Sequence, residues 1–188
     1  MFPSHALFIS EGPSGPKAPG GVATPPKASL AEQLVRAGDL NEVFRIVRVA
    51  VKSELGLERA GLSLALANLP PTIGAYWQLT GNVIVMNDTV YEGVRGVASS
   101  REEANAFAFV VLMHEYLHSL GYWDEQQVRR VTHRVALATF PPDHRVSQLA
   151  GGDLWEFYPF LRMLPGGRGD RLRFVNRFAS DVTDAYIR

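Results

Sequence analysis

His114, Glu115 and His118 are the residues whose types and spacing could do chemistry in this sequence. Two histidines four positions apart lie one turn apart on the same face of a helix, so both imidazoles can reach a single metal ion. A zinc ion held by neutral imidazoles, with one coordination position open, activates water as a nucleophile at neutral pH. Glu115 lies on the neighbouring flank and would accept the proton of that water. The pattern therefore predicts a hydrolytic metal site on a helix, with Glu115 as the catalytic base.

A purely structural role is the alternative interpretation of these side chains. A buried helix can carry a single histidine that only makes hydrogen bonds. Two histidines that flank a glutamate on an otherwise apolar helix bring three polar groups into the interior, and each of them needs a partner. A shared metal ion satisfies both imidazoles at once, so the metal interpretation is favoured.

The residues after the second histidine extend the pattern. Gly121 can end the helix in a left-handed conformation, and Asp124, three residues later, can offer an oxygen ligand. Asp124 is also suited to cap the helix expected to follow it, with Gln127 as its capping-box partner. The third ligand is therefore predicted to be Asp124, and the alternatives are Glu125, His133 and His144.

The run from His114 to Asp124 reads HExxHxxGxxD. It resembles the zincin metalloproteases in the spacing of their metzincin branch, HExxHxxGxxH, with an aspartate where most members have a third histidine. It is also similar to minimal zincin-like bacterial proteins in which a glycine and an Asp-Glu pair follow HExxH, as Gly121 and Asp124-Glu125 do here. A family of small metal-dependent endoribonucleases shares the spacing as HGxxHxxGxxH, but Glu115 and Asp124 both depart from that pattern.

The zincin resemblance implies an α+β fold, in which a small mixed sheet packs on helices and the active-site helix is buried. It implies Zn²⁺ as the cofactor, bound by His114, His118 and Asp124. A methionine lies beneath the metal in metzincins, and Met163 is the candidate here. Residues 82–87 resemble the zincin edge strand, to which an extended peptide could add. The alternative is that residues 82–87 form an interior strand.

Composition limits the class of protein. The 188 residues are 46% hydrophobic and 20% charged, which suits one domain with a sizeable core. The formal net charge of +0 provides no strong field for nucleic acid or an anionic membrane. The sequence has no cysteine, no signal-peptide pattern and no run approaching the roughly 18 apolar residues of a membrane span. A cytoplasmic protein, neither secreted nor membrane-spanning, is expected.

The chain divides into a tail and one domain. Residues 1–28 are too rich in glycine and proline for a packed element and are predicted to be a disordered tail. Residues 29–188 are predicted to form the zincin-like metalloprotease domain. Capping boxes predict helix starts after Ser29, Asp39 and Ser100.

Other elements follow from periodicity. Alternating or apolar runs predict strands over 62–68, 75–79 and 82–87, with a tight turn between the last two. Helices are predicted to end near Leu55 and Leu120, and further helices are predicted over 125–139 and 171–186. In the helix over 125–139, the arginines are expected on a solvated face; they are Arg129, Arg130 and Arg134.

A zinc-dependent peptidase that cleaves a peptide or protein substrate is the function that these features predict. One alternative is a non-catalytic zinc-binding module, whose closed four-ligand site would include His133 or His144. The other is a metal-dependent endoribonuclease. Residues 162–188 have a modest basic bias but lack the interleaved aromatic and basic residues of an RNA-binding surface, so no strong nucleic-acid signal is present.

Overall fold

The computed structural model of this chain describes residues 28–167, 169 and 171–175. Within these residues it contains seven α-helices, one 3₁₀ helix and a four-stranded mixed sheet, which confirms the predicted α+β class. The predicted tail lies outside the described residues, except for residue 28. Most of the helix predicted over 171–186 also lies outside them. No helix in the described part of the chain is long and apolar enough to cross a membrane.

Helices and strands are interspersed along the chain. The helices are α1 (Leu30–Arg36), α2 (Leu40–Leu55), α3 (Asp88–Val97), α4 (Arg101–Ser119), α5 (Glu125–Thr139), α6 (Arg145–Gly151) and α7 (Leu154–Phe157), and a 3₁₀ helix spans Pro159–Met163. The strands are β1 (Ser63–Ala67), β2 (Ala75–Trp77), β3 (Val83–Asn87) and β4 (Arg173–Phe174).

Side-chain caps start the helices where the sequence predicts them. Ser29 forms the complete capping box of α1, and the side chains of Asp39 and Ser100 accept hydrogen bonds from the third residues of α2 and α4. Gly56 ends α2 with a left-handed φ of 68°. Because each cap is made by residues three apart, these boundaries are local properties of the sequence. Helix α3 was not predicted; the side chain of Asn87 caps it directly after β3.

The sheet has the strand order β2-β3-β1-β4. Strands β1 and β3 are parallel, and the two outer strands pair antiparallel with them. Strand β3 is therefore interior, so the prediction that residues 82–87 form the edge strand is wrong and its alternative is confirmed. The edge strand next to α4 is β2. The predicted helix from residue 171 is also wrong at 173–174, because β4 covers the free edge of β1 there.

Helix α4 lies at the centre of the core, as predicted for a buried helix. It packs against α1, α2, α3, α5 and α6 and against strands β2 and β3. Its largest fully buried side chains are Phe107, Phe109, Leu112, Met113, Tyr116 and Leu117. Contact on nearly every side explains why the apolar residues cover most of the helix circumference.

Candidate metal centre

His114 and His118 occupy the last turns of α4 and point their Nε2 atoms at each other, 3.2 Å apart. Both side chains are partly buried. The Nδ1 of His118 lies 2.8 Å from the carbonyl oxygen of Tyr122. Because a carbonyl oxygen only accepts, Nδ1 carries the proton, and the lone pair of Nε2 is left for another partner.

Glu125 is the carboxylate that the structure brings to these imidazoles. Its Oε2 lies 3.2 Å from His114 Nε2, and its Oε1 lies 3.2 Å from His118 Nε2. Among the described residues, His114, His118 and Glu125 form a group whose ligand atoms could hold one metal ion. Gly121 makes this possible, since its positive φ of 98° reverses the chain between α4 and α5.

Asp124 lies outside this group of three. Its Oδ1 accepts a hydrogen bond from the backbone N–H of Gln127 at 2.7 Å, which is the capping role that the sequence also suggested. A side chain that turns back to cap a helix is directed along its own backbone rather than across to α4. The assignment of Asp124 as third ligand therefore stays a prediction. Glu125, which the sequence offers as an alternative third ligand, lies beside both imidazoles.

The other candidate ligands have different neighbours. His144 caps α6, where its Nδ1 accepts from Val146 N at 3.1 Å, and its ring stacks on Phe140. His133 lies against Gly151 of α6, whose missing Cβ would come within 3.0 Å of its Nε2. Neither histidine is in the group with His114 and His118. The prediction that Met163 lies beneath the metal is wrong, because its side chain is 82% exposed.

Glu115 faces the edge strand. Its Oε2 accepts a hydrogen bond from Trp77 N at 2.8 Å. Burial raises the pKa of Glu115 to about 7, against the opposing effects of His118 and the Trp77 hydrogen bond. Burial also lowers the pKa of His114, although the nearby Glu125 carboxylate works in the other direction. The site thus combines a carboxyl group that can exchange a proton near neutral pH with an imidazole that favours its neutral form.

Arg59 joins the end of α4 to the β2–β3 turn. Its guanidinium donates to Ser119 O at 2.8 Å and to Gly81 O at 3.0 Å, and it stacks on the ring of Trp77. Its backbone N–H donates to Tyr116 Oη at 2.9 Å. These contacts fix the position of the last turn of α4, which carries His118, relative to β2, whose Trp77 N–H contacts Glu115.

A cleft of about 300 Å³ opens beside His114, Glu115 and Glu125. One wall comes from α4 and the segment before β2, and the other comes from α5, α6 and α7. The remaining lining residues are Thr72, Ile73, Gly74, Ala75, Val110, Val111, Arg129, Thr132, Leu149, Ala150, Gly152, Asp153, Leu154 and Trp155. The centre is therefore accessible from a pocket large enough for a side chain.

Two contributors to the site were missed from the sequence. Arg129 was assigned to a solvated face; it is exposed, but it also lines the cleft. The sequence signal is its spacing, because a residue four positions after Glu125 lies on the same face of α5 as that carboxylate. The backbone N–H of Trp77 has no sequence signal, because its direction depends on how β2 pairs with β3.

Comparison with known proteins adds nothing to this picture. No protein-family model, no curated protein and no solved structure matches this chain. The interpretation of the site therefore depends on its own residues and geometry.

Proposed function

We propose that this protein is a zinc-dependent peptidase of zincin-like design, with His114, His118 and Glu125 as metal ligands and Glu115 as the general base. The observation that carries the proposal is the meeting of two imidazole Nε2 atoms and one carboxylate at 3.2 Å, beside an open cleft. The HExxH spacing and the partly buried Glu115 support the same chemistry.

The donor set fits zinc. Zinc–nitrogen and zinc–oxygen bonds of about 2.0–2.1 Å in a tetrahedron place neighbouring ligand atoms about 3.3 Å apart. The two Nε2 atoms lie 3.2 Å apart, close to that spacing, and each lies 3.2 Å from one oxygen of the Glu125 carboxylate, His114 from Oε2 and His118 from Oε1. Three protein ligands from imidazole and carboxylate groups are also the usual number for a catalytic rather than a structural zinc site.

The chemistry divides between the ion and the chain. When bound, zinc supplies Lewis acidity, which eases the deprotonation of water and stabilises negative charge on a carbonyl oxygen. Glu115 accepts the proton of the attacking water and then delivers it to the amine nitrogen that leaves. The Trp77 N–H holds Oε2 of Glu115, which leaves Oε1 for the water. The Tyr122 carbonyl keeps the His118 ring oriented.

The β2 edge supports a peptide as the substrate. Gly74 and Gln78 hydrogen-bond with β3, through Asn87 N to Gly74 O at 2.9 Å and Gln78 N to Val83 O at 3.0 Å. Backbone groups alternate in direction along a strand, so those of Ala75 and Trp77 point away from β3. Ala75 also lines the cleft. An extended peptide that pairs with Ala75 would lie alongside the metal ligands.

The closed zinc-binding module receives less support from this geometry. It required His133 or His144 as an additional ligand, and both side chains lie against other residues. The cleft also leaves the three-ligand group open on one side. An open coordination position is the arrangement that catalysis uses.

Metal content measured by elemental mass spectrometry tests the ligand set. Wild-type protein is expected to hold about one zinc per chain, and Glu125→Ala to lose it during dialysis against a weak chelator, because a carboxylate ligand is removed. Asp124→Ala is the matched control and is expected to retain zinc, with lower stability from the lost helix cap. Zinc lost from Asp124→Ala and retained by Glu125→Ala would assign the third ligand to Asp124. No zinc in wild-type protein after reconstitution would refute the proposed function.

A further inference from the structure

One face of α5 continues from the metal group into the cleft. Glu125, Arg129 and Thr132 are spaced by four and then three residues, and all three line the cleft. This spacing places them on one face of a helix. Arg129 therefore stands one turn beyond the carboxylate that contacts the imidazoles.

Arg129 is a cation without a partner in the described part of the chain. Its neighbours on α5 differ in this respect, since Arg130 approaches Asp124 at 4.0 Å and Arg134 approaches Glu54 at 3.3 Å. Asp153 also lines the cleft, but its Oδ1 accepts from Trp155 N at 2.9 Å. The guanidinium of Arg129 is thus available to a ligand in the cleft, and a carboxylate matches its planar pair of donors.

The rest of the cleft is suited to an apolar side chain. Its walls include Val110, Val111, Leu149, Ala150, Leu154 and Trp155. Thr132 is 3% exposed, and its hydroxyl oxygen has no hydrogen-bond partner among the described residues. Binding pockets commonly combine such apolar walls with a few polar groups that orient the ligand.

We propose that the cleft binds an apolar residue of the peptide substrate. Arg129 then selects a carboxylate that belongs either to this apolar residue or to the residue after it. This inference rests on the proposed peptidase function and deepens it. Two sources could supply the carboxylate: the free α-carboxylate of a chain end, or the side chain of an adjacent aspartate or glutamate. Either source places one negative charge opposite the exposed Arg129, and the bidentate match between guanidinium and carboxylate stabilises the pair.

Calorimetric binding of small probes to zinc-loaded protein tests this specificity without relying on catalysis. Each probe is leucine acylated with a malonyl hydroxamate, which provides the metal-binding group. The first pair ends in a free α-carboxylate or a carboxamide. The second pair extends the leucine by an amidated glutamate or an amidated glutamine. The two pairs distinguish a terminal carboxylate from an acidic side chain.

Wild-type protein is expected to bind the acidic member of at least one pair about 10-fold more tightly than its neutral partner. Arg129→Gln should remove that preference while still binding the neutral probe. Arg134→Gln, which removes the same charge from the same helix outside the cleft, should preserve it. The pair that shows the preference identifies the source of the carboxylate.

Equal binding of acidic and neutral probes by wild-type protein would overturn the inference, and so would an acid preference that survives Arg129→Gln. In both cases zinc uptake and hydroxamate binding would leave the proposed peptidase function standing. Failure of the wild-type protein to take up zinc would refute the proposed function and this inference together.

Discussion

At the scale of single residues, the proposed general-base role of Glu115 needs a group that can accept a proton, and a side chain of the same shape without that ability cannot replace it. Glu115→Gln keeps the size of the side chain and an oxygen for the Trp77 N–H, but it cannot accept a proton. We expect zinc content to stay at the wild-type level and peptide cleavage to fall by about 10²–10⁴-fold. Elemental analysis and a peptide-library assay measure the two effects separately.

The matched control is Glu102→Gln, on the first turn of the same helix and about half exposed, which should leave cleavage unchanged. A Glu115→Gln protein that cleaves peptide at the wild-type rate would exclude Glu115 as the general base.

Glu103 provides a residue-scale prediction about stability. Its carboxylate accepts hydrogen bonds from Ser99 N at 3.0 Å, Arg145 Nη2 at 3.0 Å and Tyr158 Oη at 3.2 Å. The Ser99 N–H is the main cause that lowers the pKa of Glu103 below its ordinary value of 4.5. A lowered folded-state pKa stabilises the protein above the unfolded pKa, and this contribution disappears as pH falls through the folded value.

Glu103→Gln should therefore lower the free energy of unfolding by about 1–2 kcal/mol at pH 7, with a smaller difference below pH 4. Urea unfolding at the two pH values measures this. The control is Glu92→Gln, whose exposed ion pair with Arg95 should be worth about 0–1 kcal/mol. If Glu103→Gln lowers the free energy of unfolding equally at both pH values, the negative charge of Glu103 does not contribute to stability.

At the scale of elements, Asn87 connects the sheet, α3 and the segment before β2. It is fully buried at the end of β3, and its Oδ1 accepts from Thr89 N at 3.1 Å while its Nδ2 donates to Ile73 O at 2.8 Å. Nδ2 also donates to Pro70 O at 3.1 Å, and Oδ1 accepts from Leu69 N at 3.3 Å. One side chain therefore both caps a helix and shapes the cleft wall around residues 72–74.

Asn87→Ala should lower the free energy of unfolding by about 2–4 kcal/mol, because it leaves several buried backbone groups without partners. Asn87→Asp keeps the capping oxygen but sets a buried carboxylate oxygen against the Pro70 and Ile73 carbonyls, so it should destabilise the protein at least as much as Asn87→Ala. Urea unfolding of the two variants measures the difference. Equal stability of wild type and Asn87→Ala would contradict the role assigned to this network.

At the scale of the whole molecule, the candidate metal-binding group of His114, His118 and Glu125 joins α4 to α5. A ligand that binds the folded state and not the unfolded one stabilises the fold in proportion to its free concentration. Zinc at about 100 times its dissociation constant should add about 2.7 kcal/mol and raise the melting temperature, and a chelator should reverse the change. Calorimetric or spectroscopic melting with and without zinc measures this effect.

Glu125→Ala should show little response to zinc in the same melting experiment, because it lacks the carboxylate supplied by α5. Identical melting curves of the wild-type protein with zinc and with chelator would argue that the three side chains do not form a metal site.

The sequence alone predicted the parts of the protein that depend on neighbours in the chain. Capping residues three positions apart marked the starts of α1, α2 and α4, and the spacing of His114 and His118 placed both imidazoles on one face. The start of α5 and the left-handed Gly121 were predicted for the same reason. Each of these features depends on the helix period or on a local hydrogen bond, which three to seven consecutive residues determine.

Only the tertiary structure decided which distant groups meet. It made β2 the edge strand instead of residues 82–87, paired 173–174 with β1, and placed Glu125 rather than Asp124 beside the imidazoles. It also turned Arg129 toward the cleft and the Trp77 N–H toward Glu115. These outcomes depend on strand pairing and helix packing between segments far apart in the chain. Local periodicity contains no information about which of two adjacent carboxylates such packing will bring to the imidazoles.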